Sequence, residues 1–208
     1  TYWTAIKANN PLIDNPVLID VLRDRGYAFG IYADSHFERH KIKETVFRGI
    51  DVHESFDGET VDARDRDLTD RLFAFMERRH REGTPFFGFA FYKSTHYPYD
   101  YPADAAPFRP ARELNVLLAD ADDDPAPVLN DYHNAVHYVD ELVGGLLRRM
   151  EATGLLDSTI VVITGDHGEE FNDNGRNFWG HTGNFTAFQT RVPLIVYVPE
   201  KWRSWAGV

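Results

Sequence analysis

Apolar residues recur along this chain at helical spacing in three separate segments. The first predicted helix begins at Asn15-Pro16 and ends at Gly26, and the second covers about Asp62 to Arg81. The third and longest covers about Pro125 to Ala152. Its apolar positions, alternately four and three residues apart, predict a continuous apolar seam of Tyr132, Val136, Val139, Val143, Leu146 and Met150.

Short apolar runs of strand length alternate with these helices. They are Tyr27–Ala33, Phe86–Phe91, Thr159–Thr164 and Pro193–Val198. Alternating helices and strands predict an α/β fold with a mostly parallel sheet flanked by helices. Such sheets bind ligands outside the carboxyl ends of their strands. We therefore expect one rim of the sheet to carry the polar residues that directly follow strands, namely Asp34, Lys93, His96, Asp166 and His167.

Composition narrows the class of protein. At 208 residues and 43% hydrophobic residues, the chain is predicted to form one folded domain over residues 1–208. Its 22 basic and 33 acidic residues give a net charge of −11, which argues against a nucleic-acid partner. The chain has no cysteine, so thiolate metal sites and a cysteine nucleophile are excluded. It has no apolar run of membrane-spanning length and no initiator Met, and we expect it to be an excised piece.

The most informative chemical pattern follows the strand Ile160–Thr164. That strand leads into Gly165-Asp166-His167-Gly168, where the flanking glycines are expected to let the backbone turn sharply. An adjacent carboxylate and imidazole can bind one divalent cation, with zinc or manganese favoured and calcium or magnesium still open. An isolated Asp-His pair is usually a surface feature. The nearby Glu169-Glu170 and His181 favour the metal site here.

Other histidines are weaker candidates when taken alone. His96 follows a strand and could donate a hydrogen bond to a substrate oxygen, or it could simply pack among neighbouring tyrosines. His133 and His137 share a helix face, but Asn134 stands where the zinc-protease motif needs glutamate, so a solvated face is favoured. His36 follows the first strand and by itself is typical of a surface residue.

Four segments, in this order along the chain, resemble the sulfatase-like branch of the alkaline phosphatase superfamily. They are Pro16 to Tyr27; Thr84-Pro85-Phe86-Phe87 with Thr95-His96-Tyr97-Pro98; Tyr132 to Gly144; and Leu156 to Glu169 with Arg191-Val192-Pro193-Leu194-Ile195. The last pair, similar to "D-x-T … S-D-H-G-E … V-P-L-I", is the most specific. The resemblance covers nearly the whole chain and implies an alkaline phosphatase-like three-layer sandwich.

The resemblance also implies roles for particular residues. Asp166 and His167 would be metal ligands, while His96 and His181 would face an anionic substrate or a second metal. Lys93 joins His96 and His181 as a predicted substrate contact, and His36 joins them as a predicted catalytic residue. This chain lacks the lysine of the arylsulfatase Gly-Lys-Trp-His stretch and the C/S-x-P-x-R nucleophile motif, which argues against a true arylsulfatase.

Within the branch, the chain is most similar to membrane-anchored bacterial members: lipid-head-group phosphotransferases, lipoteichoic acid synthases and sulfatase-like proteins of lipid homeostasis. That likeness implies a periplasmic domain of an inner-membrane protein, anchored through segments upstream of this chain, with a lipid head group as one candidate substrate. The family's first strand, its acidic ligand and its Thr or Ser nucleophile would precede Thr1. We therefore expect this piece to lack the nucleophile-bearing part and to be inactive alone.

The leading hypothesis is a metal-dependent hydrolase or transferase acting on sulfate or phosphate esters. The alternative is a non-catalytic sulfatase-like domain that senses or regulates lipid homeostasis at the inner membrane. A third interpretation, an intracellular phosphomutase-type enzyme, predicts no upstream membrane spans.

Overall fold

A computed structural model describes residues 17–34, 42–54, 60–111, 115–116, 118–182 and 185–207. The chain divides into two compact units, residues 1–93 and residues 94–208. In the part of the chain that is described, no helix is both long and apolar enough to cross a membrane.

The first unit is built around a parallel sheet. Its elements are α1 (Val17–Asp24), β1 (Ala28–Ala33), α2 (Ile42–Thr45), β2 (Val52–Glu54), α3 (Val61–Arg81) and β3 (Phe86–Phe91). The strands lie in the order β2-β1-β3, and both pairings are parallel. The predicted α/β fold with a parallel sheet and flanking helices is thereby confirmed.

Two glycines explain how closely α3 approaches this sheet. Gly30 of β1 and Gly88 of β3 lie opposite each other in the strand register. A Cβ atom at Gly30 would lie 2.5 Å from the Phe75 ring, and one at Gly88 would lie 2.9 Å from Leu72 Cδ1. The paired glycines therefore form a flat patch on which the apolar face of α3 packs.

The second unit combines one long helix with two small antiparallel ribbons. Its elements are a 3₁₀ turn (Ala103–Ala105), α4 (Ala126–Ala152), a 3₁₀ turn (Leu155–Ser158), β4 (Val161–Thr164), β5 (Glu170–Phe171), β6 (Trp179–Gly180), α5 (Ala187–Thr190), β7 (Leu194–Tyr197) and α6 (Glu200–Ala206). β4 pairs with β7, and β5 pairs with β6.

The β4–β7 pair is antiparallel, unlike the parallel pairs of the first unit. The chain between them forms the β5–β6 ribbon and the four-residue helix α5. A parallel connection ordinarily uses a longer crossover helix. The apolar runs are strands, as predicted, but the short intervening elements bring the chain back in the opposite direction.

The long helix α4 buries the predicted seam only in part, because Met150 is buried, Val136 is exposed and the other seam residues are partly buried. Val136 of the predicted seam is 39% exposed, whereas Asp131 and Asn134 are buried. The buried positions are Pro127, Val128, Asp131, Asn134, Ala135, Tyr138 and Met150. Two polar residues can lie on the buried face because each of them is hydrogen-bonded.

Asn134 and Asp131 attach the segment before the helix to α4. The Asn134 side chain accepts a hydrogen bond from Phe108 N at 2.9 Å and donates one to Phe108 O at 3.1 Å. It also donates to the Tyr101 hydroxyl at 3.2 Å, and that hydroxyl donates to Asp131. Part of the long excursion between β3 and α4 is thus held by side chains that replace regular secondary structure.

Candidate metal centre

The Asp-His loop leaves the end of β4 and is held on both sides. Thr164 Oγ1 donates to Pro193 O at 2.8 Å, which joins the loop to the chain entering β7. Gly168 N donates to Gln189 O at 2.8 Å, which joins it to α5. The loop therefore has fixed anchors before and after the Asp166-His167 pair.

Gly168 is required for close packing and not for an unusual turn. Neither Gly165 nor Gly168 is among the glycines with positive φ, so the sharp-turn explanation expected from the sequence is wrong. A Cβ atom on Gly168 would lie 2.0 Å from the Phe188 carbonyl oxygen, whereas one on Gly165 would make an ordinary contact at 3.4 Å. Only Gly168 is packed directly against the backbone of α5.

The His167 ring is held in a form suited to metal binding. Its Nδ1 lies 2.8 Å from Gly168 O, and because a carbonyl can only accept, Nδ1 carries the proton. The lone pair of a neutral ring is then on Nε2, which lies 3.8 Å from Asp166 Oδ2. Two ligands of one tetrahedral zinc ion lie about 3.3 Å apart, since each bond is about 2.0 Å. The Asp166-His167 pair is therefore close to the separation that a shared cation needs.

His181 and Glu169 complete a compact group around His167. His181 Nδ1 lies 3.3 Å and 3.4 Å from the two Glu169 carboxylate oxygens. The His167 and His181 rings stack with centroids 3.9 Å apart, and the His96 ring meets His181 at 5.3 Å. Ligand atoms of His167, Glu169 and His181 all lie within 4.8 Å of one another, a donor set that suits zinc or manganese.

The structure thus brings together four of the residues singled out from the sequence: His96, Asp166, His167 and His181. His96 Nδ1 donates to Tyr97 O at 2.7 Å, and its exposed ring lies edge-on to the His181 ring.

Two residues expected at the rim, Lys93 and Asp34, lie in the first unit. Lys93 belongs to the first unit, where its backbone N–H donates to both Asp65 oxygens at 3.1 Å. Asp34, also expected at the rim, is buried in the same unit and accepts from Arg64 Nε at 2.8 Å. His36 lies outside the described residues.

Glu169 is the candidate ligand that the sequence interpretation did not name. Its side chain is only 6% exposed, unlike that of Asp166 at 63%. In an extended segment, residues two apart point to the same side, so Glu169 could have been paired with His167 from the sequence.

Burial and neighbouring charges set the protonation of the group. Burial raises the pKa of Glu169 to about 7; His167 and His96 oppose this rise, and Asp166 adds to it. Burial also lowers the pKa of His181, with His167 adding to the effect and Asp166 opposing it. The cluster holds a carboxyl group that is half-protonated near neutral pH beside an imidazole that stays neutral there.

An aromatic wall lies beside Glu169. The Tyr99, Tyr132 and Phe171 rings contact one another with centroids 5.3 to 6.1 Å apart. Burial raises the pKa of Tyr99 and of Tyr132, and the Glu169 charge adds to both shifts. The two phenols therefore keep their protons at neutral pH.

Zinc affinity should fall as the pH is lowered through 7. Glu169 ionises only above its pKa of about 7, and below that value zinc has to displace a proton from it. One displaced proton lowers the affinity by about tenfold per pH unit on the acid side, whereas His181 adds little because it is already neutral. Calorimetric zinc titrations between about pH 6 and pH 8 would measure this slope. Glu169→Gln should bind zinc more weakly and with a flatter pH dependence; an unchanged slope in that variant would rule out Glu169 as the source.

Comparison with known proteins gives a consistent likeness. The Sulfatase family model matches residues 2–206. Human iduronate 2-sulfatase is 27% identical over 175 residues, which is 67% of this chain and 31% of that protein. A lipoteichoic acid synthase from Listeria monocytogenes has a TM-score of 0.62 at 20% identity and matches 87% of this chain and 45% of its own. An alkaline phosphatase superfamily protein from Vibrio parahaemolyticus has a TM-score of 0.60 at 20% identity, over 88% of this chain and 41% of its own.

Proposed function

Since the chain belongs to the sulfatase family, within the alkaline phosphatase superfamily, we propose that the whole protein hydrolyses or transfers sulfate or phosphate esters with a divalent cation. The observation that carries this proposal is the convergence of Asp166, His167, Glu169 and His181 at the end of β4. The chain covers 31% of iduronate 2-sulfatase, so the activity proposed here is that of a longer protein. Residues 1–208 are proposed to belong to one sulfatase-like catalytic domain.

The proposed ligands are Asp166 and His167, with Glu169 and His181 close enough to share the same ion or to hold a second one. When bound, the cation supplies positive charge beside the non-bridging oxygens of the ester. This matters for a chain whose net charge of −11 repels an anionic substrate. Zinc and manganese fit the nitrogen and oxygen donors best.

His96 and His181 are proposed to act on the substrate directly. His96 Nδ1 donates its proton to Tyr97 O. Nε2 of the exposed His96 ring is therefore the nitrogen available to a substrate oxygen. In the protonated form, Nε2–H would donate to oxygen as charge develops there. Lys93 remains a proposed substrate contact and His36 a proposed catalytic residue, on the resemblance alone.

A lipid head group is the proposed source of the ester, and the periplasmic side of a bacterial inner membrane is the proposed location. Support comes from the likeness of the sequence to membrane-anchored members of the branch and of the fold to a lipoteichoic acid synthase. Segments outside this chain would provide the membrane anchor.

The test compares the full-length protein with the 208-residue chain on chromogenic phosphate and sulfate esters, with added zinc or manganese. We expect the full-length protein to turn over at least one ester and Asp166→Asn to lower the rate by about 100-fold or more. The chain alone should show little activity, because it corresponds to 31% of a curated relative.

Three results would contradict the proposal in different ways. Full activity in Asp166→Asn would refute the ligand assignment. Rapid turnover by the 208-residue chain, abolished in Asp166→Ala, would refute its predicted inactivity. Metal binding without turnover of any ester by the full-length protein would favour the sensing or regulatory alternative.

A further inference from the structure

Glu170 is a fully buried carboxylate next to the metal cluster. It lies in β5, directly after Glu169, and its exposure is 0%. Its Oε2 accepts hydrogen bonds from Thr186 Oγ1 at 3.1 Å and Gln189 Nε2 at 3.0 Å, while Oε1 accepts one from Asn174 Nδ2. Burying a carboxylate is costly, and side-chain hydrogen bonds to its two oxygens offset much of that cost.

Those hydrogen bonds lead back to the metal ligands through α5. Thr186 immediately precedes α5, and its hydroxyl donates to Glu170 without capping the helix. Gln189 lies within α5, and its backbone carbonyl accepts the N–H of Gly168. The Gly168 carbonyl in turn accepts the Nδ1 proton of His167. Three hydrogen bonds, joined through the covalent structure of Gln189 and Gly168, therefore connect Glu170 to the ring nitrogen that fixes the His167 tautomer.

A second connection runs through the β5–β6 ribbon. Glu170 pairs with Gly180 in the strand register, and Gly180 immediately precedes His181. Glu170 therefore contacts α5 through its side chain and β6 through its backbone.

We propose that Glu170 is a positioning residue that holds His167 and His181 in place for the cation through α5 and β6. This inference rests on the proposed function, because it assigns Glu170 a role toward the same metal. Buried partners that orient metal ligands typically change metal affinity by about 10- to 100-fold when they are replaced.

The experiment uses Glu170→Gln, which keeps the shape of the side chain but replaces one carboxylate oxygen by an N–H₂ group. At least one of the three donors from Thr186, Gln189 and Asn174 then loses its acceptor. Zinc titration should show affinity about 10-fold or more below wild type. Nitrogen-15 NMR of the metal-free chain should show that the fixed Nδ1–H form of His167 becomes a mixture of tautomers. Leu155→Ala, which removes a fully buried side chain from the 3₁₀ turn after α4, is the control for general destabilisation. Its unfolding temperature should fall, whereas its zinc affinity and its His167 tautomer should stay unchanged.

Exchanging the carboxylate and the amide between positions 170 and 189 should restore zinc binding. In the double variant Glu170→Gln, Gln189→Glu, the amide introduced at position 170 can donate to the carboxylate introduced at position 189. It can also donate to the Thr186 hydroxyl, which is able to accept. We expect this variant to recover most of the lost zinc affinity and the single tautomer. Because it keeps one carboxylate in the cluster, it also serves as the test if Glu170→Gln alone fails to fold.

The outcomes separate this inference from the proposed function. Wild-type affinity and tautomer in Glu170→Gln would overturn the positioning role, as would equal losses in Leu155→Ala or failure of the exchange to restore binding. A wild-type chain that binds no zinc, while Glu170→Gln still disturbs the His167 tautomer, would refute the metal site but support the positioning role.

Discussion

Gly168→Ala should abolish detectable zinc binding and lower the free energy of unfolding by about 2 to 4 kcal/mol. The added Cβ would lie 2.0 Å from Phe188 O, 3.0 Å from Phe188 C and 3.3 Å from Arg191 O. All three are backbone atoms, so no side chain can rotate away to make room. The loop would have to separate from α5, which breaks the bond from Gly168 N to Gln189 O and removes the support of His167.

Gly165→Ala is the matched control in the same loop. Its Cβ would meet His167 O at 3.4 Å and Val192 at 3.7 Å, both ordinary contacts, and its φ is not positive. We expect a change of less than about 1 kcal/mol and near-normal zinc affinity. Denaturant unfolding and zinc titration of the two variants would measure the contrast. Equal effects at the two glycines would contradict the packing explanation.

His167→Ala should weaken zinc binding more than replacement of any other single ligand, by about 100-fold or more. His167 is the one candidate that lies both in the Asp166 pair and in the group with Glu169 and His181. Its loss therefore removes a donor wherever the ion is bound. Zinc titration is the measurement, and His133→Ala, on an exposed helix face, should bind as the wild type does.

The neighbouring ligands would then locate the ion within the cluster. A larger loss in Asp166→Ala than in His181→Ala would place it at the Asp166-His167 pair, and the reverse would place it between Glu169 and His181. Wild-type affinity in His167→Ala would refute both positions.

Much of the fold could be predicted because apolar spacing reports local structure directly. The ends of β3 agree with the prediction, and those of α3 and α4 agree to within one residue. Strand direction was less accessible: nothing in the apolar run Leu194–Tyr197 distinguishes a parallel partner from an antiparallel one. The predicted seam of α4 omitted Asp131 and Asn134 because both count as polar in any pattern, and only their hydrogen-bond partners explain their burial.

The sequence could predict those site residues that have a metal-binding or hydrogen-bonding side chain and that follow a strand. His96, Asp166, His167 and His181 form one connected group although the sequence separates the outermost of them widely. Glu169 and Glu170 read as two equivalent acidic residues. The structure separates them, because one faces the imidazoles and the other is enclosed by Thr186, Gln189 and Asn174.

The side chain of Asn134 makes the segment before α4 and the helix itself one cooperative unit. It pairs with both the N–H and the carbonyl of Phe108, as a neighbouring strand would. Opening that segment would break both of these hydrogen bonds and expose apolar surface packed against α4, which raises the free energy of local unfolding. We therefore expect the chain from His96 to Phe108 to open together with α4, although it contains little regular structure.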